Sequence, residues 1–173
     1  MSGGLIEHGI DPVWNENSRV LILGSFPSVK SREAQFFYGH PQNRFWRVLA
    51  ALFGEAVPET VEDKKNLLLS NGIAVWDVTA RCEITGSADS SIKNVTANDI
   101  MPIISASRIK TVFTNGATAD RLYNRYIYPE TGIEAIRLPS TSPANAAKSL
   151  DALINDWSVV RRAVCGTESE IKN

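Results

Sequence analysis

The chain has 173 residues, 43% hydrophobic and 21% charged, with a formal net charge of −1. That length predicts one domain spanning 1–173 with room for a real core, and the composition excludes a disordered or low-complexity chain. No apolar run approaches the roughly 18 residues of a spanning helix, and the opening MSGGLIEHGIDPVW lacks the basic and apolar regions of a signal peptide, so no membrane association and a cytoplasmic location are predicted.

RVLILG, residues 19–24, is a short continuous apolar run closed by Gly24 and the loop GSFPS, the pattern of a buried strand. A helix begins near Arg44, with Phe45, Val48, Leu49 and Leu52 on one face and Gly54 as its stop. Thr60 and Asp63 resemble a capping box, and Leu67, Leu68 and Leu69 lead to a Ser70-Asn71-Gly72 stop, which predicts a second helix. GIAVWDV, residues 72–78, reads as a strand, whereas 80–95 is polar and nonperiodic and reads as a long loop. Thr96 and Asp99 suggest a cap for a short helix to about Ser105, with Pro102 in its first turn. IKTVFTNG, residues 109–116, is a third strand; 117–127 is a helix that stops before Pro129; IEAIRL, residues 133–138, is a fourth strand. After PSTSPAN, with Pro143 at the first helical position, Leu150, Leu153, Ile154, Trp157, Val160 and Val164 mark one face of a long final helix, and the polar tail from Gly166 is expected to fray.

Strands alternating with helices predict an α/β fold: a parallel sheet covered on both faces by right-handed crossovers. Ligands in such sheets bind beyond the carboxyl ends of the strands. The loops that matter are therefore GSFPS through YGHPQN, WDVTAR, TNGA and PSTSPAN.

Several chemistries are disfavoured. His8 and His40 are the only histidines and neither has a metal-ligand companion at a suitable spacing, so no metal site is predicted. Cys82 and Cys165 are too few for a disulfide framework or a four-thiolate cluster. GSFPS has neither dinucleotide nor P-loop spacing, and a Ser-His-Asp triad would have to recruit His40 from a His-Pro turn. A near-neutral net charge neither announces nor excludes a nucleic-acid partner, because amides, hydroxyls and one or two cations can hold a few phosphates.

The remaining loops carry suggestive groups. Ser140, Thr141 and Ser142 before a helix N-terminus would cradle a phosphate, or Ser142 would simply cap that helix. Among Phe36, Phe37 and Tyr38, the tyrosine beside Gly39 is best placed to stack on a planar base. Asn43 is a helix cap or, if partly free, an amide that orients water; Arg44 and Arg47 are solvated or phosphate contacts.

A strand ending in G-x-x-P, HP-x-NRFW opening a helix and a final strand ending in a Pro-Ser loop resemble the uracil-DNA glycosylase superfamily. GSFPS, GHPQNRFW, VWDV, TNG and LPSTSPANA together look most like its hypoxanthine-DNA (deoxyinosine) glycosylase branch, over roughly residues 18–163. The resemblance implies a three-layer α/β/α sandwich around a four-stranded parallel sheet. It also implies cofactor-free excision of a deaminated base from DNA by base flipping, by a monomer, leaving an abasic site.

Two positions depart from the better known branches: Phe26 stands where a water-activating amide or carboxylate is usual, and Leu138 replaces the histidine that begins the last motif and stabilises the leaving base. The resemblance then implies Asn43 as the catalytic amide, positioning the water or contacting the sugar. Tyr38 would stack on the base, and Gly24, Ser25 and Phe26 would line the pocket floor. Asp77 falls where the uracil branch has a base-reading asparagine, and a carboxylate suits the N1–H of hypoxanthine. Asp77 as a loop cap or ion-pair partner is the plainer alternative. Asn115 is a turn residue or a pocket residue. Ser140 and Ser142 would hold phosphates flanking the flipped nucleotide, and Ala144 would sit near the gap left in the base stack. Uracil or a mismatched pyrimidine as substrate, and a noncatalytic DNA- or nucleotide-binding domain, remain the alternatives.

Overall fold

The structure, a computed structural model, describes residues 4–166. The tail predicted to fray lies outside these residues, Gly166 excepted.

The first parallel strand forms where predicted, and it organises the rest. We number the strands β1 (Ile6–Glu7), β2 (Val20–Gly24), β3 (Ile73–Asp77), β4 (Thr79–Glu83), β5 (Lys93–Ala97), β6 (Thr111–Asn115) and β7 (Ala135–Leu138). The helices are α1 (Val29–Ala34), α2 (Phe45–Phe53), α3 (Val61–Ser70), α4 (Met101–Ser105), α5 (Ala117–Tyr126), α6 (Tyr128–Thr131) and α7 (Leu150–Cys165). A four-stranded parallel sheet has the order β3-β2-β6-β7. All five residues of β2 are buried, as a strand covered on both faces requires. Its side chains divide by parity. Val20 and Ile22 join Val75, Phe113 and Trp157 under α2, α3 and α7, whereas Leu21 and Leu23 join Ala74, Val112, Leu122 and Tyr123 under α4 and α5. Each buried large side chain contributes roughly 1.5–3 kcal/mol, so the two cores hold the sheet between two helical layers.

Local signals explain the helix ends. Gly54 closes α2 in the left-handed region at φ 64°, and the Thr60 hydroxyl accepts the Asp63 N–H to open α3.

Three expectations are corrected. Residues 80–95 are not a loop: β4 and β5 pair antiparallel and, with β1, make a second sheet ordered β1-β4-β5. Two register shifts and the exposure of β5 erase the alternation that would have marked them. Thr96 lies within β5 and the short helix has Ile100 at its N-cap with no side-chain cap; Asp99, one residue earlier, accepts the Met101 N–H in a turn. Pro143 does not open the last helix; α7 starts at Leu150, capped by Ser149, and 139–149 is a tethered loop. The short helices α1 and α6 were not predicted, because neither is long enough to show an apolar stripe. No helix of the described residues is long and apolar enough to cross a membrane.

Candidate active site

The parallel register brings Gly24 opposite Asp77 at the carboxyl edge of the sheet, and a cavity of about 320 Å³ opens there. Gly24, Ser25, Phe26, Tyr38, Asn43, Asp77 and Asn115 all line it, as do Ser140, Ser142 and Ala144, so these ten residues converge on this one site, whereas Arg44 and Arg47 do not line it. A second groove adjoins it and carries Arg137 and Lys148. The volume lies at the lower end of small-molecule pockets, which run from about 300 Å³.

Asp77 is buried at the end of β3, and its environment gives its two oxygens different tasks. Oδ2 lies 2.7 Å from Nε2 of His8, a histidine that the N-terminal segment returns to the sheet and that is itself buried. His8 Nδ1 accepts the Ile10 N–H at 3.2 Å, so the ring proton sits on Nε2 and Asp77 is the acceptor. Oδ1 makes no hydrogen bond among the described residues and lies beside Gly24. A Cβ added to Gly24 would stand 2.4 Å from it, so only glycine permits this approach. Sequence reading missed His8, which belongs to no motif; its role arises from the antiparallel bridge of Val13 to Val75, which carries the segment back across β3.

Tyr38 follows the short α1 turn and has φ 52°, in the left-handed region unusual for a tyrosine. Phe45 covers one face of its ring at 3.9 Å, and its carbonyl accepts the Trp46 indole N–H. The expected stacking on a base therefore meets a ring with one face already occupied. Its hydroxyl is buried and, among the described residues, has no partner in hydrogen-bond geometry, the nearby Asn115 amide included. Burial above all, and then the nearby Asp77 charge, pushes the Tyr38 pKa well up, opposed in part by the Asn115 amide and raised further by Asp89. The hydroxyl stays protonated, a donor held ready.

Asn43 lies one residue before Arg44, the N-cap of α2, and faces the cavity. Its Oδ1 accepts the Phe45 N–H at 3.0 Å, a turn that opens α2, while the side chain lines the cavity. One lone pair of Oδ1 and the whole NH₂ group make no hydrogen bond among the described residues. His40 lies in the same wall; its Nδ1 accepts the Gln42 N–H, leaving Nε2–H as a donor. The last motif lacks its histidine, but the pocket does not lack one.

Phe26 lines the pocket while its ring packs with Cys82 and Ile84, under the antiparallel sheet. The Ser25 hydroxyl donates to Asp89 at 3.0 Å, so Asp89, unforeseen from sequence, closes the wall above Ser25. Burial raises the Asp89 pKa; Ser25 opposes the rise, Asp77 adds to it and Arg121 opposes it.

Asn115 is committed: its Nδ2 donates to Thr141 Oγ1 at 3.0 Å and its Oδ1 accepts the Thr141 N–H at 3.1 Å. It holds the last loop against the sheet. Arg44 is neither solvated nor a phosphate ligand, because its guanidinium donates to the carbonyls of Ser142, Asn145 and Lys148. The Ser140 and Ser142 hydroxyls each accept a backbone N–H two residues on, and this leaves both O–H groups as donors at the pocket rim. The anion cradle expected at a helix N-terminus is thus a tethered turn instead.

The sequence model of the Uracil DNA glycosylase superfamily matches residues 12–161. A Methanosarcina acetivorans protein named hypoxanthine DNA glycosylase is 33% identical over 160 residues, covering 91% of this chain and 99% of the relative. A Methanosarcina barkeri protein of the same name is 33% identical over 153 residues, covering 87% and 95%. The solution NMR structure of a candidate uracil DNA glycosylase from Methanosarcina acetivorans superposes with a TM-score of 0.78 at 32% identity, over 93% of this chain and 99% of that one.

Proposed function

Because the chain belongs to the Uracil DNA glycosylase superfamily, we propose that it is a monofunctional DNA glycosylase that flips deoxyinosine from DNA and hydrolyses its N-glycosidic bond. The observation that carries this reading is Asp77. Its Oδ2 is held by His8, so Oδ1 is the atom offered to the cavity, and an oxygen that only accepts suits the N1–H that deamination of adenine creates. Two relatives named hypoxanthine DNA glycosylase, each aligned over most of this chain, support it.

Asn43 supplies the chemistry in place of Phe26. With one lone pair of Oδ1 fixed by the Phe45 N–H, the other accepts a hydrogen bond from water and aims its oxygen at the anomeric carbon, and the water proton leaves with the departing base. Positive charge grows on the sugar as the bond breaks, and the Asp77 and Asp89 carboxylates in the same pocket oppose its cost. The Nε2–H of His40 is a donor for the departing base. Ser140 and Ser142 contact the flanking phosphates, with Arg137 and Lys148 along the adjoining groove, and Ala144 lies beside the vacated base position. The enzyme works as a cofactor-free monomer in the cytoplasm, where its two free cysteines stay reduced.

Single-turnover excision from duplexes containing inosine, uracil, xanthine or a G:T mismatch tests the reading. Inosine is expected to be released fastest, and release of uracil with inosine untouched would overturn the substrate. Asn43→Ala is expected to slow inosine excision by roughly 10²–10³-fold while costing about 1 kcal/mol of stability from the lost turn. Excision at the parent rate would remove Asn43 from the mechanism.

A further inference from the structure

We infer that Tyr38 is a specificity residue that reads the same base edge as Asp77, through its hydroxyl, and that His8 positions the carboxylate oxygen with which it works. The inference rests on a deaminated base occupying this cavity, as proposed above.

Tyr38 carries two costs with no structural return. A buried hydroxyl without a partner is destabilising, and a non-glycine residue in the left-handed region carries backbone strain. The surrounding contacts fix both: Phe45 beneath the ring, the Trp46 indole on the carbonyl, and Gly39 N–H on the Ser31 hydroxyl one residue later. The chain is built to hold this hydroxyl in place and leaves it unsatisfied. An acceptor brought in by a ligand would satisfy it.

The location identifies that acceptor. The point where a Gly24 Cβ would stand is 3.1 Å from the Tyr38 hydroxyl oxygen and 2.4 Å from Asp77 Oδ1. A donor and an acceptor therefore flank one bare Cα. Asp77 cannot turn its other oxygen inward without breaking its bond to His8, and His8 cannot rotate without losing the Ile10 N–H.

A donor beside an acceptor is complementary to a lactam, N–H next to C=O, which is the edge that deamination leaves on hypoxanthine, xanthine and uracil. With the sugar held in place and N1 at Asp77, adenine would set its N1 lone pair against the carboxylate and its N6–H₂ against the tyrosine O–H. The first contact would be repulsive, and in the second the tyrosine hydroxyl could only turn to accept, leaving its own proton without an acceptor. Sites built around a substrate's hydrogen-bonding groups reject analogues that leave those groups unpaired.

The experiment compares duplexes carrying deoxyinosine and deoxynebularine, whose purine ring lacks both N1–H and O6. Single-turnover excision and the dissociation constant are measured, the latter deciding if nebularine excision falls below detection. Tyr38→Phe keeps the ring and removes the donor. It is expected to lower inosine excision or binding roughly 10- to 100-fold, to change nebularine less than about threefold, and to melt at or above the parent temperature. Equal effects on both duplexes, no effect on inosine, or a lowered melting temperature would overturn the role of the hydroxyl. His8→Leu is expected to slow inosine as Asp77→Asn does, and the double variant to lose less than about twofold more. Independent, multiplying losses would make His8 merely structural. A parent that leaves inosine intact, or an Asp77→Asn variant with unchanged base preference, would instead overturn the reading of the site itself.

Discussion

Asp89 lies 64 residues from Ser25 in the chain and accepts its hydroxyl at 3.0 Å across the mouth of the cavity. Its pKa is raised chiefly by burial and further by Asp77, so the folded protein binds this proton more tightly than the unfolded chain. The sign follows: the stabilising preference is complete below the ordinary value of 3.8 and is lost as pH rises through the folded value, so at neutral pH the carboxylate is a net cost. Asp89→Asn, which can still accept from Ser25, is expected to raise the melting temperature slightly at pH 7, on the order of 1 °C. The gain should vanish as the scan is moved toward pH 4; a gain independent of pH would remove the electrostatic explanation. Acids destabilised by burial are characteristic of sites, and of the two carboxylates that line this one sequence showed only Asp77. Asp77 was legible because VWD ends a strong apolar strand at the ligand edge. Asp89 sits in a polar turn with nothing nearby to fix its direction, and His8 depends on a tertiary bridge that leaves no local pattern.

The strand-to-helix connection at 139–149 shows what an element's own sequence conceals. PSTSPAN read as a helix start because its hydroxyls and proline suit one, yet the backbone there is irregular and is satisfied by distant groups. Arg44 donates to three of its carbonyls, Asn115 clasps Thr141 from β6, and the Trp157 indole donates to Pro139 from α7. Arg44→Lys keeps the charge but replaces a planar fork by a single ammonium that cannot serve carbonyls spread over seven residues. The variant is expected to lose about 1–3 kcal/mol in denaturant unfolding, to become cleavable by protease within 139–149, and to bind DNA more weakly. Unchanged protease resistance would show that Asn115 and Trp157 suffice. The rest of the element reading succeeded where burial decides: β2, β3, β6, α2 and α7 all carry continuous or periodic apolar faces. It failed for β4 and β5, whose side chains face solvent or a small cluster, so hydrophobicity could not mark them.

Across the molecule, this contrast predicts how stability is distributed. The parallel sheet is covered by two large cores, one on each face, whereas the antiparallel sheet closes over a cluster built on Phe26, Cys82 and Ile84. Each buried apolar side chain adds to the cost of opening its segment, so the smaller sheet should open at lower free energy than the larger. Hydrogen exchange tests this directly: amides of β5 and the adjoining turn at 84–92 are expected to exchange at least about tenfold faster than those of β2, and equal protection would mean that the two sheets open as one unit. The cavity lies along this boundary. Gly24, Asp77 and Asn115 belong to the parallel sheet, while Asp89 lies in the turn that joins β4 to β5 of the smaller one. A flipped nucleotide needs fixed reading groups and an entrance that yields. Binding of inosine-containing DNA should therefore slow exchange most in 84–92, where the wall closes, and least in β2, which is already closed.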